Sequence, residues 1–201
     1  PYTIIKTMMR IDLPQPLASG ASTQFSVDWS YLINDSKSRP ARTGFEYFEE
    51  DKNFLYEIAH WFPRMVAYTD NTGWQHKQFL GRGEFTLEFG NYLTRITVPD
   101  DHIVAATGRL QNPEKVLTAE QQKRLKQAET AKKPMFIVTP EEAKKNEASQ
   151  PKGKQTWVFK ADRVRDFAFA SSRKFIWDAQ GHKVEGQPVM AMSFYPKEGE
   201  P

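Results

Sequence analysis

The sequence predicts a mainly β protein, an antiparallel β-sandwich with a small helical insertion. Three observations lead there. Apolar and polar residues alternate at period two through most of the chain, and turn residues punctuate these runs at short intervals. Helix-start signals occur in one segment only, residues 111–155. About ten short strands with turns between them fit two facing antiparallel sheets. The whole of 1–201 reads as a single β domain carrying that insertion.

Leu13-Pro14-Gln15-Pro16-Leu17 and Ser19-Gly20 form a turn that a strand does not cross. Phe25, Val27, Trp29, Tyr31 and Ile33 alternate with Ser26, Asp28, Ser30 and Leu32, which predicts a half-buried strand over 25–33. Residues 34–40 are a polar loop, and Phe45-Glu46-Tyr47-Phe48 a short strand ending in the acidic turn Glu49-Glu50-Asp51. A strand over 55–61 follows, and Pro63 closes it or places it at an edge. Phe85, Leu87 and Phe89 alternate with Glu84, Thr86 and Glu88. Gly90-Asn91 then signals a two-residue turn that returns 92–98 as a hairpin. Val98-Pro99-Asp100-Asp101 breaks that strand; 102–107 resumes it, and Gly108 ends it.

The pattern then changes. Thr118-Ala119-Glu120-Gln121 is a capping-box signature opening a polar helix to about residue 131. Pro134 stops it, and Met135 to Val138 is a brief apolar run. Thr139-Pro140-Glu141-Glu142 repeats the start signal, with proline at the first helical position. Both helices are polar on most faces and belong on the surface. Strands return with Trp157 and Phe159 on alternate positions, with Asp166-Phe167-Ala168-Phe169-Ala170, and with Phe175-Ile176-Trp177. Ala179-Gln180-Gly181 reads as a turn before a last strand over 188–195.

Composition excludes several classes. Hydrophobic residues make up 39% and aromatics 13%, as in an ordinary folded domain. No apolar run approaches the roughly 20 residues that cross a bilayer. Cysteine is absent, which removes disulfides, thiolate metal sites and cysteine nucleophiles together. The net charge of +3 argues against nucleic acid, because the excess lies mostly in 115–154, without interleaved stacking aromatics.

Local catalytic motifs are missing as well. The four histidines stand at His60, His76, His102 and His182, one per surface loop or strand end, with no pair at metal-ligand spacing. No Gly-x-Ser-x-Gly and no phosphate loop occurs, and Ser171-Ser172 beside Arg173-Lys174 reads as the start of a strand. Glu84 and Glu88 would share one strand face about 13 Å apart, too far to share a glycosidic bond. Gly81-Arg82-Gly83 permits a tight bend. Trp61, Phe62, Trp74 and Phe79 fill a sandwich core or, alternatively, form a stacking platform for sugars.

The densest segment runs from Trp61-Phe62-Pro63-Arg64-Met65-Val66-Ala67-Tyr68 through Gly73-Trp74-Gln75 to Gln78-Phe79-Leu80-Gly81-Arg82-Gly83-Glu84-Phe85. Together with Phe89-Gly90-Asn91-Tyr92, Ile96-Thr97-Val98-Pro99, Val104-Ala105-Ala106-Thr107-Gly108, Arg165 to Ser171 and Phe175 to Ala179, it resembles the N-terminal β domain of bacterial zinc aminopeptidase-like proteins. These are gluzincin metallopeptidases related to aminopeptidase N and leukotriene hydrolase. Leu17-Ala18-Ser19-Gly20 and Phe25 to Trp29 are similar to a preceding strand of that domain. The likeness covers most of the chain outside the insertion, and it rests on order and spacing rather than on any one piece.

The resemblance implies a saddle-like β domain leading into a thermolysin-like catalytic domain of the same polypeptide. The family's zinc-binding HExxH, its downstream glutamate and its Gly-x-Met-Glu-Asn loop belong to that second domain, and none occurs here. It therefore implies a non-catalytic domain, truncated at its start, with zinc held elsewhere in the parent. Relatives are often exported, to the periplasm or beyond. Relatives also use a Gln or Glu of the β domain to hold the amino group of a peptide substrate. The matching candidates are Glu57 and His60, although Gln is more usual than His there. The alternative is a free-standing β-sandwich binding module for carbohydrate or protein.

Overall fold

A computed structural model describes residues 1–39, 41, 43–78 and 86–199. It is mainly β, 41% strand and 13% helical, with antiparallel sheets and short helices in a β-sandwich-like fold. In chain order the elements are β1 (Tyr2–Ile5), β2 (Met8–Ile11), β3 (Gly44–Phe48), β4 (Asn53–Ile58), β5 (Tyr68–Thr69), β6 (Gly73–Trp74), β7 (Gly90–Pro99), β8 (Ile103–Ala106) and β9 (Arg109–Leu110). Then come α1 (Pro113–Val116), α2 (Ala119–Ala128), β10 (Met135–Val138), α3 (Pro140–Glu147), β11 (Lys154–Val164), β12 (Phe169–Ser172), β13 (Ile176–Val184) and β14 (Gln187–Tyr195). A 3-10 turn, Lys197–Gly199, follows β14. No helix among the described residues is long and apolar enough to cross a membrane.

The chain divides into two compact units, one of residues 1–31 and 62–89, the other of 32–61 and 90–201. In the first, β1 pairs with β2 around a turn at Lys6, and β5 pairs with β6. Gln78 ties the hairpin down: its Oε1 accepts from Thr7 N at 3.0 Å and Thr7 Oγ1 at 2.7 Å, and its Nε2 donates to Ile5 O at 3.1 Å.

The second unit holds three sheets, ordered β10-β13-β14, β7-β11-β9 and β3-β4-β12-β8. Its core is aromatic and aliphatic: Trp157, Phe167, Ile137, Val138, Ile176 and Val104 are all at most 2% exposed. Alternation explains which strand faces point inward. Trp157, Phe159 and Ala161 on β11 are buried, and Ile96 lies opposite Trp157 on β7. Phe194 of β14 stacks on Trp177 with ring centroids 4.8 Å apart, closing one end of this core.

The helical insertion is built as its capping residues dictate. Thr118 accepts from Gln121 N while Gln121 reaches back to Thr118 N, and Thr139 and Glu142 repeat the exchange. Glu142 also takes a two-pronged bond from Arg124, at 2.7 and 2.9 Å, which joins α2 to the start of α3. α2 ends at Ala128, short of 131.

Several expectations are corrected. Residues 21–33 form no strand and are mostly exposed, Trp29 48% and Leu32 93%, because no described strand lies alongside to pair with them. Thr86 to Phe89 are likewise not in a strand, and Phe85 lies outside the described residues. Gly90-Asn91 is no turn; it opens β7, whose partner is β11 some sixty residues on. Asn91 Oδ1 there accepts from Arg163 N at 2.9 Å, beside the register shift between Ala161 and Val164. Gly181 is also not in a turn. It sits inside β13, and the β13–β14 turn falls at Glu185-Gly186, both at positive φ. A Cβ on Gly181 would stand 2.0 Å from Glu129 O, so the missing side chain admits the end of α2 against the sheet. β4 stops at Ile58, not 61, because His60 turns the chain at φ 53°. The strands β1, β2 and β9 and the helix α1 carried too few residues of periodic pattern to be read from sequence.

Candidate functional site

Glu57 is exposed near the end of β4, on the same side of the strand as buried Leu55 and Asn53. Its cross-strand neighbours are Gly44 on β3 and Ala170 on β12, and Ala105 on β8 lies beyond Ala170 in the same row. On one side of Glu57 the small Ala170 and Ala105 keep the row low, while on the other the Asn34 carbonyl and the Ser36 hydroxyl fill the space above Gly44. Among the described residues the Glu57 side chain makes no hydrogen bond or ion pair, while its backbone carbonyl accepts from Thr43 Oγ1 at 3.1 Å.

His60 is also exposed, but it belongs to a different constellation. Its left-handed backbone, at φ 53°, swings the chain out of β4, and its Nε2 lies 3.9 Å from Asp166 Oδ2. A β-carbon at positive φ costs about 1 kcal/mol or more, so the turn is held by its surroundings. Trp61 supplies part of that hold: its indole N–H donates to Phe167 O at 3.0 Å, and its ring meets Phe169 edge-on at 5.5 Å. The turn after β4 is thus stitched to the residues before β12.

The rest of the aromatic segment lies in the other unit. There Tyr68 and Trp74, each 57% exposed, meet edge-on at 5.2 Å across β5 and β6. Gln75 Nε2 donates to Thr69 Oγ1, Gly73 O and Thr72 Oγ1, fixing that small turn. Phe79 and the 81–85 run, with Glu84 of the supposed carboxylate pair, lie outside the described residues.

Sequence reading missed one hydroxyl–imidazole pair. His102 is 4% exposed, not at the surface, and its Nδ1 lies 2.8 Å from Ser171 Oγ. Ser171 is the third residue of β12 rather than the start of a strand. Burial pushes His102 down to about 4; the Asp101 charge opposes that shift and Arg173 adds to it. The pair has the distance of a nucleophile and its base, yet Ser171 is only 2% exposed and out of reach of a substrate. Asp101 does not orient the imidazole either. It pairs with Arg173 at 3.3 Å and accepts from Ser149 Oγ at 3.0 Å. The pair is a satisfied core contact. No local motif joins residues 69 apart, so only the β8–β12 register reveals it.

No group of three or more His, Asp or Glu that could hold a metal ion occurs among the described residues. No family model, no curated protein and no solved structure matches the chain.

Proposed function

We propose that this chain is the non-catalytic N-terminal β domain of a zinc-dependent aminopeptidase-like metallopeptidase. On this reading it packs on a thermolysin-like catalytic domain of the same polypeptide and lines one side of the peptide cleft. The zinc and its general base lie in that other domain. The observation that carries the reading is Glu57, an exposed carboxylate whose side chain makes no hydrogen bond or ion pair among the described residues and which has the small Ala170 and Ala105 beside it. Such a group is suited to accept a peptide's ammonium terminus, because opposite charge and room for approach are both provided. His60 is the weaker candidate for the same task, since it faces Asp166.

The test uses the zinc-loaded parent enzyme. Removing a charge-assisted contact costs about 1.5–3 kcal/mol, roughly ten- to a hundredfold in affinity. Glu57→Ala is expected to raise KM for aminoacyl anilides by that factor and to leave substrates lacking a free amine unaffected. An unchanged KM removes Glu57 from the site. The isolated chain is expected to hydrolyse no aminoacyl anilide and to hold no stoichiometric zinc by elemental analysis; either result would overturn the reading.

A further inference from the structure

Lys174 follows β12 and is 0% exposed, yet it carries its charge into the interior. Three carboxylates from three elements surround it. Asp51 comes from the β3–β4 turn, Glu147 (3.2 Å) from the last residue of α3, and Glu198 (3.0 Å) from the 3-10 turn after β14. The Phe48 ring lies 4.5 Å from its Nζ on a fourth side. Lys197, next to Glu198, reaches back to the same acids, 3.2 Å from Asp51 and 3.0 Å from Glu147. Two ammonium groups thus alternate with three carboxylates, and the 3-10 turn supplies one charge of each sign.

We propose that residues 196–199 form a charge-locked strap, docked across the β3–β4 turn and the end of α3 by Glu198 on buried Lys174 and Lys197 on Asp51 and Glu147. The complementarity is directional: the acid of the strap meets the buried base, and its base meets the two part-buried acids. A strap docked only by backbone or apolar contact has no need of this arrangement. Its own backbone is a single turn, Gly199 N to Pro196 O at 2.9 Å, too short to hold itself in place. Undocking frees the Tyr195 end of β14, which lies opposite Ile176, and with it the Phe194 ring on Trp177.

The lock depends on ionisation at both ends of the pH scale. Burial raises Asp51, but bonds from Lys174 and Lys197 outweigh it and hold the carboxyl below its usual 3.8. Its contribution is complete above 3.8 and is lost as pH falls through the depressed value. Burial lowers Lys174, but bonds to Asp51, Glu198 and Glu147 outweigh it and raise the amine above 10.5. That contribution is complete below 10.5 and fails as pH rises beyond.

Hydrogen exchange followed by mass spectrometry tests the strap on the intact chain. The K197M/E198Q double variant changes only part-exposed side chains. Its amides at 195 and 197–199 are expected to exchange roughly tenfold faster or more at pH 7, with α2 unchanged. Unchanged strap amides in the double variant overturn the proposal, and so does an equal acceleration in α2, which marks a general loss of stability. K174M leaves three carboxylates around an apolar side chain; if it folds, it should loosen the same amides, and if it does not, the double variant decides.

Discussion

Burial sets the chemistry of His102 more than any neighbour does. The ring is held neutral against Ser171 Oγ, with its acidity pushed down to about 4. A histidine with a depressed folded value contributes fully above the unfolded value of 6.5 and loses that contribution as pH falls from there to the folded one. The span is worth about 3 kcal/mol at 1.36 kcal/mol per pH unit. Wild-type stability in urea should therefore fall by about that amount between pH 6.5 and 4, and His102→Asn should lose most of the slope within the window. Equal slopes would show that His102 already protonates in the folded chain. At this scale the candidate site was half legible. Glu57 falls in the strand that the sequence predicts over 55–61, but its exposure does not follow from the period-two pattern, because it shares its side of β4 with buried Leu55 and Asn53 and is exposed only near the strand's end. The destinations of His60, His102 and Lys174 did not follow. Each depends on a partner at long sequence separation, Asp166, Ser171 and Glu147 among them.

Among the elements, α2 and β13 meet at Gly181. A Cβ there would lie 2.0 Å from Glu129 O and 2.5 Å from its carbonyl carbon, so backbone rather than a flexible side chain would have to move. Gly181→Ala should cost about 1–3 kcal/mol as overpacking, read as a lower urea midpoint at unchanged slope. A neutral midpoint would mean that the end of α2 yields freely. The same glycine shows where sequence reading fails. Ala179-Gln180-Gly181 has turn composition, but composition does not tell a glycine that bends the chain from one that admits a neighbour. Gly90-Asn91 fails likewise, because nine paired β7 positions on β11 outweigh a local turn preference. Helix starts were legible, since Thr118–Gln121 and Thr139–Glu142 satisfy one another within four residues. Local chemistry is readable; pairing partners far along the chain are not.

The two units differ in what they bury. The second holds nearly the whole apolar core, from Trp157 and Phe167 to Ile176. The first has one buried apolar residue among those described, Ala67, and exposes Tyr2, Ile4, Ile5, Phe25, Trp29, Tyr68 and Trp74 at 48% or more. A two-stranded hairpin such as β1–β2 is marginal in water without a surface to pack on, and clustered exposed rings mark surfaces that meet a partner. Under the proposed function that partner is the catalytic domain of the same polypeptide, so the first unit should be the weak part of the isolated chain. Brief chymotrypsin digestion should cut within 1–31 and 62–78 well before any site in 90–195, with amides of β1, β2, β5 and β6 exchanging fastest. In the parent enzyme the same sites should be protected. If they are cut at equal rates in both, the exposed rings serve no interdomain contact, and the packing role proposed for this chain fails with them.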